Sequence, residues 1–263
     1  MELFYITNEI DEAVRAEEAG VDRIFIDTEV LGKDLRQNSF DMVHNAHRLE
    51  DIQNLRDKIK ITIMTRINPV NDNTADEIEK AVLYGTDYIM LPYFKSIDEV
   101  QGTAEIINGR VKFVPLVETA EAVEILEQIL NFGMADEIHI GLNDLRLSRG
   151  KKFLFEPLSD GLLDEIADLI NSYKVPWGFG GLACLGRGEL PSDLVISEHK
   201  RLGSTRAILS RQFRNPENRE DFDLSGELKK LRNRIEESEN YTPEEKKKKK
   251  NRVAEIIAAI VKG

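Results

Sequence analysis

Two periods of hydrophobic and polar positions alternate along most of the chain. Short runs rich in β-branched and aromatic residues recur at Leu3–Ile6, Arg23–Asp27, Lys60–Arg66, Tyr88–Leu91, Lys112–Glu118, Glu137–Ile140, Pro176–Phe179 and Ala207–Ser210, and they read as strands. Between them lie amphipathic stretches at Glu9–Ala19, Leu49–Asp57, Thr74–Tyr84, Ile97–Ile107, Ala120–Leu130, Gly161–Tyr173 and Leu194–Arg201. The stretch at Gly161–Tyr173 is typical, with Leu162, Ile166, Leu169 and Ile170 at helical spacing, and Thr74 is placed as the N-cap of its helix. Eight strands alternating with helices over roughly two hundred residues predict an α/β fold, a closed parallel (β/α)8 TIM barrel. Glycines mark the helix-to-strand turns at Gly20, Gly85, Gly133 and Gly203, where a left-handed residue ends a helix without a Cβ penalty. The alternative, an open doubly wound sheet, requires a glycine-rich phosphate loop after the first strand, and Thr7-Asn8-Glu9-Ile10 supplies none.

The pattern changes after Arg214, which divides the chain into a barrel at 1–214 and a charged helical C-terminal extension at 215–263. Pro216–Asp223 is polar and Leu224–Glu239 reads as a charged helix. Thr242-Pro243-Glu244-Glu245 signals a new helix, with Thr242 as cap and Pro243 in the first turn. Lys246–Lys250 then reads as a solvated face paired with the preceding glutamates, rather than as a membrane or nucleic-acid patch. Ile256, Ile257, Ile260 and Val261 require burial, against the barrel or another subunit.

Charge narrows the partners. The formal net charge of −12 repels a phosphate backbone, so nucleic acid is not expected to bind. No apolar run approaches the roughly 18 residues of a membrane span, and no basic leader precedes the first strand, so a cytoplasmic location is expected. With a single cysteine, Cys184, no internal disulfide can form. Cys184 has no obvious base beside it in sequence and reads as a buried, inert thiol rather than a nucleophile.

In such barrels, the chemistry sits where the strands end at their C-termini. Those ends carry Asp27-Thr28-Glu29, Arg66-Ile67-Asn68-Pro69, Leu91-Pro92-Tyr93, Glu118-Thr119, Gly141-Leu142-Asn143-Asp144 and Gly178-Phe179-Gly180-Gly181. Glu118 and Asp144, side by side, would repel one another unless a cation joined them, and Mg2+ or Mn2+ takes such hard oxygen ligands. The Arg66 fork suits a substrate carboxylate in two contacts, and a cation beside it suits the enolate of a 2-oxo acid. A plain ion pair between Arg66 and Glu118 is the competing reading. Gly180-Gly181 either offers backbone N–H groups to an anion or makes a tight turn, and Arg187 is a further candidate anion contact. His139, inside a strand, and Trp177 read as packed residues.

Thr65-Arg66-Ile67-Asn68-Pro69, Met90-Leu91-Pro92, Leu116-Val117-Glu118-Thr119 and Ile140-Gly141-Leu142-Asn143-Asp144-Leu145 together resemble the HpcH/HpaI aldolase and citrate lyase beta-subunit family over roughly residues 1–212. The resemblance implies a pyruvate- and phosphoenolpyruvate-superfamily barrel that cleaves carbon–carbon bonds of a 2-oxo or hydroxy acid with Mg2+ or Mn2+. It makes Glu118 and Asp144 the metal ligands, and Arg66 the residue that binds the substrate's carboxylate and enolate. Gly141, Asn143, Asp144 and Gly180 complete the candidate substrate contacts. A homo-oligomer is also implied. Two departures stand out: Val30 occupies the position where the family's aldolases carry a histidine base, and Tyr93 the position where its lyases carry a lysine. The candidate bases are therefore Asp27, Glu29, His44 and His47, with ordinary surface or capping roles as the alternative for the two histidines. A metal-dependent carbon–carbon lyase is the expected function. A catalytically altered barrel serving binding or assembly is the alternative, and an enolate enzyme of the phosphoenolpyruvate-using transferase or mutase type is a third.

Overall fold

A computed structural model describes residues 1–32, 47–214 and 222–262. Among these residues, eight parallel strands close into a barrel: β1 (Glu2–Ile6), β2 (Arg23–Asp27), β3 (Thr62–Arg66), β4 (Tyr88–Leu91), β5 (Lys112–Val117), β6 (Ile138–Ile140), β7 (Trp177–Leu182) and β8 (Arg206–Leu209). Each strand pairs with the next, and β8 returns to β1 with Leu3 opposite Ala207. The outer ring holds α1 (Ile10–Glu18), α2 (Glu50–Arg56), α3 (Thr74–Leu83), α4 (Ile97–Ile107), α5 (Ala120–Glu124), α6 (Leu126–Phe132), α7 (Leu142–Ser148), α8 (Leu162–Ser172), α9 (Ser192–Leu202) and α10 (Arg211–Arg214), followed by α11 (Leu224–Glu239) and α12 (Pro243–Lys262).

The period-two pattern of the strands sorts side chains to two cores. Leu3, Ile24, Ile26, Ile63, Ile89 and Phe113 join the large core beneath the helices. The alternate residues Phe4, Phe25, Met64, Met90, Val114 and Leu116 fill the barrel interior. Below them, charges close the N-terminal end. Arg23, the first residue of β2, donates to both oxygens of Glu137 (3.1 and 3.0 Å) and to Glu2 (2.7 Å), and its guanidinium lies 3.7 Å from the Tyr88 ring centroid. Arg206, at the start of β8, reaches the same two glutamates.

The four predicted glycine turns all have positive φ, from +71° at Gly133 to +94° at Gly85. Several expected boundaries shift. The helix expected at Ala120–Leu130 breaks at Ile125 (φ −97°, ψ 4°) into α5 and α6. Thr74 is not an N-cap: Asn73 holds that position, while Thr74 Oγ1 accepts the Asn71 N–H (2.8 Å) and the Asn71 side chain accepts the Asn73 N–H, so an asparagine turn winds the chain into the helix first. Helix α7, which carries Asn143 and Asp144, was not expected from the sequence. Strand β7 runs three residues past its expected end, so Gly180-Gly181 lies within the strand and not in a loop after it.

The C-terminal helices pack on the barrel. Leu228, Leu231, Val253 and Ile257 are buried in the large core, and Arg232 donates to the carbonyl oxygens of Met1 and Gly20 and to Asp22. Thr242 caps α12 as expected, and Glu245 accepts the Thr242 N–H in return, which completes a reciprocal box. The lysine run departs from the local pairing expected of it. Lys250 bonds to Asp164 of α8 (3.0 Å) and Lys249 lies 3.7 Å from Asp193 of α9, because α12 lies across α9.

Candidate functional site

The C-terminal mouth gathers its charges from the strand ends. Arg66 is the last residue of β3 and Asp27 the last of β2, opposite one another in register. Arg66 Nε donates to Asp27 Oδ1 (2.9 Å) and Nη2 to Asp27 Oδ2 (2.8 Å), a side-on bidentate pair. Glu29 Oε2 lies 3.3 Å from the same Nη2. Burial alone lowers the guanidinium's pKa, but Asp27, Glu29 and Glu118 together raise it above its ordinary value. The competing reading of an Arg66–Glu118 ion pair is not what the structure shows: Arg66 pairs with Asp27 and Glu29, and Glu118 acts on it through the field. Among the described residues, no hydrogen bond uses Arg66 Nη1. Asp27 therefore fixes the plane of the guanidinium through its Nε–Nη2 edge.

Glu118 follows β5 directly and is 2% exposed. Its Oε1 accepts the N–H of Tyr93 (3.0 Å), a residue held at φ +50° in the loop after β4. The next residue, Thr119, caps α5 by accepting the Ala122 N–H and donates its own hydroxyl to the Phe94 carbonyl, so the β4 and β5 ends are tied together. Gly141 precedes α7 and lies against Glu118: a Cβ there would stand 2.5 Å from Glu118 Oε2 and 2.7 Å from Glu118 Cβ. Asp144 sits in the first turn of that helix, 9% exposed. Glu118 and Asp144 are hard carboxylates of the type that Mg2+ or Mn2+ takes, and only a glycine at 141 fits against Glu118. No group of three or more His, Cys, Asp or Glu side chains arranged to hold a metal occurs among the described residues.

The remaining candidates fall as follows. His47 Nδ1 accepts the N–H of Asp27 (3.0 Å), which puts a neutral imidazole's proton on Nε2 and brings this histidine to the edge of the site. His44 lies outside the described residues. Asn143 accepts from Arg146 (3.2 Å) on α7. Gly180 has φ +51° at the irregular β7–β8 register, and a Cβ there would come 2.9 Å from Leu142 Cδ1, so its backbone conformation and the packing of α7 both call for glycine. His139 is buried in the barrel with its pKa lowered to about 3, by burial first and then by Arg23 and Arg66. Burial pushes the Cys184 thiol up to about 11, assisted by Glu227. Asn68, a motif residue with no signal of its own in the sequence, joins the β2 loop to α3 through its side chain.

No sequence-family model and no curated protein sequence matches the chain. Solved structures do match it. An HpcH/HpaI aldolase/citrate lyase family protein from Burkholderia cenocepacia is 14% identical, with 91% of this chain and 95% of that chain covered and a TM-score of 0.63. An HpcH/HpaI aldolase from Desulfitobacterium hafniense is also 14% identical, with 92% and 94% covered and a TM-score of 0.60. A variant of the citrate synthase SbnG is 17% identical over 79% and 84%, with a TM-score of 0.56. The chain thus shares its whole-length fold with proteins of the family its motifs resemble.

Proposed function

We propose that the protein belongs to the HpcH/HpaI aldolase and citrate lyase family and acts as a metal-dependent carbon–carbon lyase on a small 2-oxo or hydroxy acid. The observation that carries this reading is the arrangement of Arg66, held side-on by Asp27 within the field of Glu118, at the barrel mouth. Arg66 Nη1 binds an anionic oxygen of the substrate, and the Asp27 clamp keeps the guanidinium from turning as charge develops. Glu118 and Asp144 would hold Mg2+ or Mn2+, and the ion would supply positive charge to an oxygen that becomes anionic as a carbon–carbon bond breaks. Tyr93 N–H and Gly141 keep the Glu118 carboxylate in place. Asp27 and Glu29 are engaged as counter-ions of Arg66, so among the described base candidates His47 is the one whose ring is not paired with that arginine.

The test is incubation with Mg2+ or Mn2+ and a panel of 4-hydroxy-2-oxo acids and malyl- and citramalyl-type substrates, following release of pyruvate or a related fragment. Metal-dependent turnover that is lost in Glu118→Ala supports the reading. No turnover across the panel, or turnover indifferent to that substitution, overturns it.

A second reading, a barrel retained for binding or assembly, is favoured by Val30 at the position of the family's histidine and by the two Arg66 N–H groups already committed to Asp27. It expects a partner recognised through α11 and α12. Because Leu228 and Ile257 belong to the core, the informative variants reverse exposed charges on these helices and leave the chain full length.

A further inference from the structure

The loop after β2 carries Glu29, one of the two carboxylates on Arg66, and it is tied to the β3 side by Thr28, whose N–H and hydroxyl both donate to the Arg66 carbonyl, and then by Asn68. Asn68 Oδ1 accepts the N–H groups of both Val30 and Leu31, each at 2.9 Å. Its other functions go to α3: Asn68 Nδ2 donates to Glu77 Oε1 (3.0 Å) and its backbone N–H to Glu77 Oε2 (3.0 Å). Pro69 restricts Asn68 to extended conformations, and the Pro69 carbonyl is itself held by Asn71 Nδ2 (2.8 Å). The β2 end is thus joined to the β3 side through the Asp27–Arg66 pair, through Thr28 on the Arg66 carbonyl and through Asn68, and the Asn68 link continues to helix α3. Val30 and Leu31 are exposed, so water competes for their N–H groups and these bonds add little to stability. They fix geometry instead.

We propose that Asn68, with Glu77, is a positioning residue of the Arg66 site: it sets the β2 loop so that Asp27 and Glu29 meet one side of the guanidinium and Nη1 faces the bound anion. The inference rests on the function proposed above. It also specifies how the pairing can be rewritten. In the double variant Asn68→Asp/Glu77→Gln, the new carboxylate accepts from Val30 and Leu31, the new amide donates to that carboxylate, and its oxygen accepts the backbone N–H of residue 68. Every bond and the net charge are kept, while Asn68→Asp alone sets two carboxylates against each other.

The experiment is a calorimetric titration of oxalate into full-length protein with Mn2+ present, beside thermal unfolding and amide exchange at Val30 and Leu31. Displacing a support of this kind costs about tenfold in affinity, so Asn68→Ala and Asn68→Asp are expected to bind oxalate about tenfold more weakly, with faster exchange at both amides and melting within about 3 °C of wild type. The double variant is expected to recover to within about threefold of wild type, and it carries the test should Asn68→Ala fold poorly. Wild-type affinity in Asn68→Ala, or a double variant no better than Asn68→Asp, overturns the positioning role alone. Wild-type protein that binds no oxalate with Mn2+ overturns the lyase reading and the positioning role with it.

Discussion

Replacing Gly141 with alanine probes whether the mouth is built around Glu118. The glycine has φ −84° and ψ 87°, so its negative φ imposes no need for glycine and the cost is steric. The added methyl meets Glu118 Oε2 at 2.5 Å, Glu118 Cβ at 2.7 Å and Leu116 Cδ1 at 3.3 Å. The oxygen can swing aside, but the Cβ sits one bond from the backbone and cannot. Either the strand end shifts, or the carboxylate turns away from the Tyr93 N–H. Both routes cost about 1–3 kcal/mol. At about 2–4 °C per kcal/mol for a chain of this size, the unfolding midpoint falls by about 2–12 °C. Because the displaced carboxylate is the one proposed to hold the ion, Mn2+ affinity measured by calorimetry is expected to fall at least about tenfold. Gly102 is the control. It lies inside α4 with nothing within 4 Å of an added Cβ, so Gly102→Ala raises stability by about 0.5–1 kcal/mol and leaves Mn2+ binding alone. A Gly141→Ala protein that melts with the wild type and binds Mn2+ equally well would refute the contact between Glu118 and the start of α7.

Other outcomes follow from buried charge. His139 and His199 are both buried, with pKa values lowered to about 3, so the unfolded chain takes up protons more readily than the folded one. Their contribution is complete above about pH 6.5 and is lost as pH falls toward 3, by about 1.4 kcal/mol per unit for each histidine; urea unfolding of His199→Gln between pH 6 and 4 should show a correspondingly shallower dependence. Arg23→Met leaves the buried Glu137 to Arg206 alone and should cost about 3 kcal/mol, read as a fall of roughly 6–12 °C in melting temperature. Cys184, with its thiol pushed up to about 11, should resist iodoacetamide at pH 8 in native protein and react once urea unfolds it, as followed by mass spectrometry.

The barrel was legible because its signals are local and repeated: a period of two along each strand, a helical period between strands, and a glycine at the turns before β2, β4, β6 and β8. Its site was legible in part, because strand ends carry the chemistry, and Asp27, Arg66 and Glu118 do lie at theirs. What the sequence hid depends on through-space pairing. Arg23 and Glu137 stand 114 residues apart and look like ordinary strand-flanking charges until the barrel closes around them. By residue type alone Glu118 is as good a partner for Arg66 as Asp27, whereas register sets Arg66 opposite Asp27. Helix α7 has too few turns for its apolar spacing to stand out, and Asn68 resembles any loop asparagine until the loop it holds is seen. The two glycines of β7 were ambiguous for a related reason: a bulge and an anion-binding turn use the same residue type.

The most direct measurement is a crystal structure of the full-length protein with Mn2+ and oxalate. Electron density and Mn anomalous signal should place the ion on the carboxylates of Glu118 and Asp144, with an oxalate oxygen on Arg66 Nη1 and Asp27 still along the opposite side of the guanidinium. An ion bound elsewhere, or oxalate seated away from Arg66, would contradict the enolate chemistry and leave the barrel as a scaffold for something else.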